Sequence, residues 1–177
     1  MPRKKSKGDK LQTLEKQLEG KEIKKALLAV EKLGATKSQE SMELLERLLY
    51  SERWHLRNKA ACVLAQMGEE GIRILRKALN EGVWFTRASA ILGLGKANML
   101  EAVEWILQFR NDRNSVVQEA VKEALRGIIT GDMERFVRGF LVKRSPLERD
   151  RILAELQEVL PDLFVDGEFV YFHYEEE

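Results

Sequence analysis

The sequence has few of the residues that stabilise secreted proteins, bind metals or cross membranes. Its single cysteine, Cys62, excludes an internal disulfide framework and is typical of a reducing compartment. The two histidines, His55 and His173, lie far from Cys62 and from each other, whereas zinc ligands come in closely spaced pairs. No uncharged stretch approaches the ~18 residues of a membrane-spanning helix. We therefore predict a cytoplasmic protein without a metal, a cofactor or a membrane segment.

An excess of charge of one sign is also absent. The chain has 177 residues, with 30 Lys and Arg against 29 Asp and Glu, and its formal net charge is +1. It therefore has no global field that would attract nucleic acid or an anionic membrane. With only 3 prolines, 44% hydrophobic residues and 33% charged residues, the composition is typical of a helix-rich globular chain.

Catalytic motifs are missing as well. The stretch Gly93–Gly95 reads GLG, but it lacks the third glycine of a dinucleotide-binding fingerprint and lies within a helical pattern. No set of Ser, His and Asp residues stands out. We therefore expect a protein that is not an enzyme.

What the sequence does contain is a repeat. WHLRNKAACVLAQMG begins at residue 54 and WFTRASAILGLGKAN begins 84 − 54 = 30 residues later. A further step of 30 reaches DRNSVVQEAVKEALRG, and a step of 31 backwards reaches KKALLAVEKLG. All four segments have small residues at helical spacing. The matched positions in the two central phrases are Trp54 and Trp84, Arg57 and Arg87, and Ala60 and Ala90.

Each small-residue segment is followed by a more amphipathic one. Four such segments, MELLERLLY, IRILRKALN, AVEWILQF and MERFVRGF, have apolar residues at steps of three and four, which predicts one apolar stripe on a helix. A helical hairpin of about 30 residues cannot bury such stripes alone, so its neighbours must stack on it. The predicted fold is an all-α, right-handed α-α superhelix of four helical hairpins.

Helix start and stop signals support this division. Ser145, Pro146 and Glu148 form a capping box that opens a helix after the fourth hairpin, and Ser115 with Gln118 predicts another. Further signals predict a flanking helix over residues 10–18, and glycines mark the ends of first helices: Gly34, Gly68 and Gly131. The predicted domains are a basic disordered tail over residues 1–9, a helical-repeat domain over residues 10–160, and a C-terminal segment over residues 161–177.

The C-terminal segment, DLFVDGEFVYFHYEEE, predicts a short β-hairpin and an acidic tail. Asp166 and Gly167 form the turn, with strands over residues 163–165 and 168–174. An isolated hairpin is marginal in water, so one face must pack either on the last helix or on another chain. The residues that would form this interaction hairpin are Phe169, Tyr171, Phe172 and Tyr174.

The phrase DRNSVVQEAVKEAL resembles the HEAT repeat, and it is most similar to the short repeats of the phycobilisome-lyase group. Asp112, Val116, Ala120 and Ala124 match the pattern, whereas Val117 replaces the usual arginine, which Arg57 and Arg87 restore in the central repeats. The resemblance covers about residues 20–142. It implies an adaptor that holds partners on a curved surface and, more remotely, an accessory role in a tetrapyrrole lyase-type complex.

Candidate binding residues follow from these patterns. The two tryptophans either anchor a partner or cover the seam between repeats, and the two matched arginines either reach a ligand or bond carbonyls and acids in the stack. The face of the second helices is the expected ligand side. The candidates are Trp54, Arg57, Arg73, Arg76, Lys77, Trp84, Arg87, Glu104, Arg135 and Arg138.

Two kinds of partner remain besides an unidentified protein. Nucleic acid would use the basic tail, with Arg3, Lys4, Lys5 and Lys7, together with local basic patches on the second helices, but the charges on these helices alternate and form no continuous basic stripe. The residues of these patches are Arg73, Arg76, Lys77, Arg135 and Arg138. Self-association would pair this tail with the C-terminal segment, which has eight acids and no Lys or Arg from Glu155 onward. The interpretation we favour is a non-enzymatic scaffold for protein–protein interaction.

Overall fold

The computed structural model describes the backbone of residues 7–173 and the side chains of residues 10–171, and it is built almost entirely of helices. The basic residues Arg3, Lys4 and Lys5, the side chain of Lys7 and the acids after His173 lie outside the described part. The helices are α1 Lys7–Glu19, α2 Ile23–Thr36, α3 Gln39–Leu48, α4 Trp54–Leu64, α5 Gly68–Glu81, α6 Trp84–Ala97, α7 Ala102–Leu107, α8 Ser115–Gly131, α9 Met133–Phe136 and α10 Pro146–Val159. A π-helical turn, Val137–Leu141, follows α9.

The helices pair as the repeat predicts. Contacts join α2 with α3, α4 with α5, and α8 with α9, and α6 and α7 follow one another in the predicted order. The predicted flanking helices are also present as α1 and α10. The predicted all-α fold of paired helices, closed by a short hairpin, is therefore confirmed.

The chain divides into two compact units, residues 1–93 and 94–177, with the boundary inside α6. The first unit holds α1 to α5 and most of α6, and the second holds the remaining elements.

Small residues let the first helices of the first unit approach closely. Ala29, Ala60 and Ala90 are fully buried. A Cβ on Gly34 would lie 2.3 Å from Val63 Cγ1, so a larger residue there would collide with α4. In the same way, a Cβ on Gly93 would lie 2.9 Å from Ala61 O. The repeated small-residue stripe is thus the seam along which these helices pack.

The second unit uses the same seam and adds an aromatic core. A Cβ on Gly95 would lie 2.8 Å from Ala124 Cα, which repeats the 29-residue spacing of Gly34 and Val63. Phe136 and Phe140 stack with ring centroids 5.5 Å apart, and Phe169 meets Phe136 edge to face at 5.9 Å. The hairpin therefore packs on its own chain.

The hairpin is shorter than predicted. Strand β1 is Phe164–Val165 and β2 is Glu168–Phe169, paired antiparallel around a turn in which Asp166 and Gly167 have φ of 50° and 88°. The chain then forms a helical turn, α11 Val170–His173, so the predicted strand over residues 168–174 is wrong beyond Phe169. With only two residue pairs in the ladder, β1 has no residues left to pair with Val170 onward, and a helical turn bonds that backbone locally.

The capping predictions are partly confirmed. Ser145 and Glu148 form the predicted capping box, with Pro146 at the first helical position. Asn114, not Ser115, caps α8, because its side chain accepts a hydrogen bond from Val116 N at 2.9 Å. The predicted end of α2 at Gly34 is also wrong, since α2 continues to Thr36 and ends at Lys37 in the left-handed conformation, φ 49°.

Candidate functional site

Exposed apolar side chains gather where one hairpin of the first unit connects to the next. Trp54 and Trp84 are the first residues of α4 and α6, and they are 65% and 43% exposed. Tyr50 and Val83, in the loops just before them, are exposed as well. We call these four residues the inter-repeat edge. Large apolar side chains in such numbers at a surface indicate an interaction site.

Hydrogen bonds hold the two loops of the inter-repeat edge together. Thr86 is buried, and its Oγ1 donates to Leu49 O at 2.9 Å, which joins the start of α6 to the loop before Tyr50. Partial burial raises the pKa of Tyr50, and the negative charge of Glu81 raises it further, because the phenol lies near the end of α5. Both loops are thus parts of one surface.

Arg57 lies beneath this edge. It is only 8% exposed, and burial lowers the pKa of its guanidinium. Its Nε donates to Ser89 Oγ at 3.1 Å, its Nη1 donates to Ser51 O, and its guanidinium lies 4.6 Å from the centre of the Phe85 ring. These contacts join α4, its preceding loop and α6, so they fix the backbone that carries both tryptophans.

The matched arginine, Arg87, is placed differently. It is half-exposed, and its Nη1 donates to Gly82 O at 2.8 Å, again in the loop that precedes its own helix. Both arginines therefore bond the carbonyl of an inter-repeat loop.

Sequence reasoning missed several residues that support the edge. Arg53 donates to Leu18 O and, at 3.1 Å, to Gly20 O, and so ties the loop before Trp54 to the end of α1. Ser89 also donates to Asn58 Oδ1, which links the middle of α6 to α4. The positions one repeat away hold other residue types than Arg53, Asn58 and Ser89. The repeat pattern therefore could not indicate these three residues.

Acids lie beside the predicted basic patch on α5, the second helix of the second hairpin. Arg73 forms a two-point pair with Glu70, and this hydrogen bond lowers the pKa of the Glu70 carboxyl. Lys77 Nζ lies 2.9 Å from Glu46 Oε1 and 4.0 Å from Glu81 Oε2, and its pKa is raised chiefly by the bond to Glu46. Arg76 also has an interaction partner. This face is therefore a mixed-charge surface.

The predicted residues of the second unit are engaged in the same way. Glu104 accepts from Arg144 at 2.8 Å and from Arg151 at 3.5 Å. Arg135 Nη1 donates to Asn98 O at 3.1 Å, and Arg138 Nε lies 3.2 Å from Glu134 Oε1.

The hairpin offers less surface than predicted. Phe169 is buried in the aromatic core, and Tyr171 is half-buried and has an interaction partner. The side chains of Phe172 and Tyr174 lie outside the described part. Phe169 therefore stabilises the hairpin on its own chain and does not form an exposed interaction face.

Within the described residues, no three His, Cys, Asp or Glu side chains come together in a way that could hold a metal ion. Over the same residues, no helix is both long and apolar enough to cross a bilayer. Cys62 is half-exposed and borders a cleft between α2 and α4.

Comparison with known proteins identifies the repeat. The sequence pattern described as HEAT repeats matches residues 11–91, and it does not distinguish the short-repeat subgroup. No curated protein matches the chain. Among solved structures, an engineered protein from the Northeast Structural Genomics Consortium shares 16% identity at a TM-score of 0.38, covering 84% of this chain and 78% of its own. Residues 11–91 of the chain are therefore similar to HEAT repeats.

Proposed function

We propose that the protein is a non-enzymatic scaffold that binds a protein partner on the inter-repeat edge. The observation that carries this proposal is the exposure of Trp54 and Trp84 at matched positions of adjacent repeats. Tryptophan is among the residues that contribute most to protein–protein affinity, because it buries a large area at a small cost in side-chain entropy. HEAT repeats generally mediate protein–protein interaction, which agrees with this use of the surface.

The tryptophans are carried on a rigid support. Arg57 and Thr86 fix the start of α4, the start of α6 and the loops between them through buried hydrogen bonds. A surface that is already ordered loses little conformational entropy when a partner binds. The buried contacts under the edge thus favour binding.

A cleft beside Trp54 provides a place for a partner side chain. It has a volume of about 390 Å³ and lies between α1, α3 and α4, with Ser51, Arg53 and Leu56 from the Trp54 region among its lining residues. Leu18, Leu44 and Leu48 contribute apolar walls, while acids and arginines stand at its sides. Apolar walls with charged side chains around them are typical of a binding surface with a polar rim.

The test is affinity capture from cell extract with the full chain and a double variant, Trp54→Ala with Trp84→Ala. A matched control, Val142→Ala with Leu147→Ala, removes exposed apolar side chains of the second unit. We expect a partner that is retained by the unaltered protein and the control but lost by the tryptophan variant. Retention of the same partner by all three baits would refute the inter-repeat edge as the binding surface.

A further inference from the structure

Two clefts in the described part of the chain have charge of one sign. The clefts beside Trp54 and Cys62 hold acids and bases together. By contrast, the cleft between α1 and α2 has two lysines and no acid among its described lining residues, and the cleft between α10 and the hairpin has two acids and no base. The two helices involved, α1 and α10, are the ones that flank the repeats. The charges at these two places are thus opposite.

The cleft between α1 and α2 is the basic groove. It has a volume of about 340 Å³, and its lining residues are Lys10, Thr13, Leu14, Gln17, Lys32 and Thr36. The two lysines are exposed, one on each helix, and Leu14 gives the groove an apolar part. Where lysines of this chain reach a neighbouring helix, they bond carboxylates, as Lys59 bonds Glu31 and Lys77 bonds Glu46. A helix face with a carboxylate between apolar side chains therefore suits the basic groove.

The outer face of α10 has this composition. Leu147, Asp150, Leu153 and Gln157 follow one another at steps of three and four residues, so they lie on one side of the helix. We call these four residues the acidic ridge. The opposite side of α10 is buried in the second unit through Ile152, Leu156 and Val159.

The acidic ridge has more apolar surface than is typical of a helix at the end of a stack. Leu147 is 81% exposed, and Leu153 is half-buried. A cleft of about 510 Å³ lies between the ridge and the hairpin, where Phe164 gives an apolar wall and Glu168 a second acid. Terminal helices of repeat stacks have a polar outer face, since nothing packs on them. The acidic ridge therefore resembles a face on which another helix packs.

The groove and the ridge also match in length. Lys10 and Gln17 are seven residues apart on α1, which is about 10 Å along the helix axis, and the ten residues from Leu147 to Gln157 span about 15 Å of α10. A ridge of side chains on one helix packs into a groove between others throughout helical proteins. With α10 in the basic groove, α1 in turn faces the cleft beside α10. Both contacts bring lysines to carboxylates.

We propose that the protein associates with a second copy of itself, with the acidic ridge and its cleft in one copy docked on the basic groove of the other. The lysines of the groove bond Asp150 and Glu168, while Leu14 packs against the leucines of the ridge. Since the two surfaces differ, the contact is heterologous, and each copy keeps a second surface for a further copy. This association is independent of the proposed protein partner, because it uses other residues. It also differs from the sequence-based hypothesis of self-association, since all its contacts lie in the described part of the chain.

Sedimentation velocity of the full chain, over a wide range of protein concentrations and at low and high salt, tests the association. We expect a mass that increases with protein concentration and decreases with salt, because salt screens the exposed ion pairs. Lys10→Glu with Lys32→Glu should weaken the association at least about tenfold, since acids would then face acids. Asp150→Lys should weaken it as well, because a lysine would then face the lysines of the groove.

Matched controls reverse the same numbers of charges at exposed positions outside both surfaces. They are Lys24→Glu with Lys96→Glu, and Glu123→Lys. We expect these proteins to associate as the unaltered chain does.

Mixing the two test variants is the sharper experiment. The lysine variant has an unaltered ridge, and the Asp150 variant has an unaltered groove, so one normal contact can join them. We expect the mixture to associate although each variant alone does not. The two control variants, mixed in the same way, carry the same opposite net charges and should associate no more strongly than the unaltered chain.

Three results would overturn the proposal. The first is a full chain that stays monomeric at every concentration. The second is a loss of association that is no larger in the test variants than in the controls, since the copies would then meet through another surface, such as the basic tail and the C-terminal acids. The third is a mixture of the test variants that associates no better than either alone, which would show that groove and ridge do not bind each other.

Discussion

The two tryptophan phrases have the same spacing but different surroundings. In both, the tryptophan is exposed and the alanine six residues later is fully buried. The arginine between them is 8% exposed in the first phrase and half-exposed in the second. Arg57 contacts Ser89 and Phe85 of the following repeat, and the residues 30 positions after these two are Glu119 and Ser115, respectively. The repeat after the second phrase therefore has no aromatic ring at the position of Phe85 and no small hydroxyl at the position of Ser89.

This comparison shows what the repeat preserves. The alanine stripe is common to both copies because every pair of first helices needs close packing. The polar contacts are particular to each copy. Thr86 donates a hydrogen bond to Leu49 O. The matched position of the first phrase is Leu56, whose side chain has no donor. Stability should therefore respond equally to changes in the two alanines and unequally to changes in the polar residues.

The largest difference is expected at the arginines. Arg57→Ala leaves the Ser51 carbonyl without its charged donor and removes a buried contact with Phe85, so it should lower the free energy of unfolding by about 2–3 kcal/mol. Arg87→Ala should cost less, about 1 kcal/mol, because Arg87 is half-exposed and water can reach the carbonyl of Gly82 that it bonds. Urea denaturation followed by circular dichroism measures both. Equal losses would contradict the difference between the two copies.

The alanines should behave alike. Ala90→Leu and Ala60→Leu each force a larger side chain into a closely packed seam, and each should cost about 1–3 kcal/mol. Ala35→Leu is the matched control, because Ala35 is exposed on α2. If only one of the two buried substitutions proved destabilising in the same urea assay, the seam would not be equivalent in the two repeats.

Thr86 tests a contact that only the second phrase has. Thr86→Val keeps the shape of the side chain but leaves the carbonyl of Leu49 without its donor, which should cost about 1 kcal/mol. Thr86→Ser keeps the hydroxyl and should recover the part of that loss that is due to the hydrogen bond. The midpoints of thermal unfolding compare the stability of the two variants. If the serine variant were no more stable than the valine variant, packing and not the hydrogen bond would account for the loss.

The smallest effects on stability are expected at the tryptophans. Trp54→Ala and Trp84→Ala should each change the free energy of unfolding by less than about 0.5 kcal/mol, with the smaller change at the more exposed Trp54. Acrylamide quenching of fluorescence can compare the remaining rings, with Trp105 replaced by Phe in both proteins. A large loss of stability at either position would show that the ring covers the seam between repeats.

The features that repeat were predictable from the sequence. Helical pairs, flanking helices and the buried alanines follow from periodicity, since each depends on residue type at fixed spacing. The hairpin turn at Asp166 and Gly167 was equally clear, because few residue pairs suit two successive positive φ angles. The length of β2 was not predictable, since it depends on how many residues of β1 remain to pair.

The candidate site was only partly predictable. Repetition identified Trp54, Trp84 and Arg57 but could not tell which of them would be exposed. The charges of Arg73 and Lys77 suggested a basic patch, but their acidic neighbours Glu70 and Glu46 lie beside them only once helices form and pack.

The seam spacing has a consequence for how the protein can change in evolution. Gly34 meets Val63 and Gly95 meets Ala124, so each contact joins residues 29 positions apart. The two tryptophan phrases begin 84 − 54 = 30 residues apart, so a recombination between them would delete or duplicate one repeat. It would leave Arg53 directly before a tryptophan that opens a helix. Such an event preserves the helix starts and the small-residue seam at the junction. Chains with fewer or more repeats can thus arise in one genetic step, without a new core having to evolve.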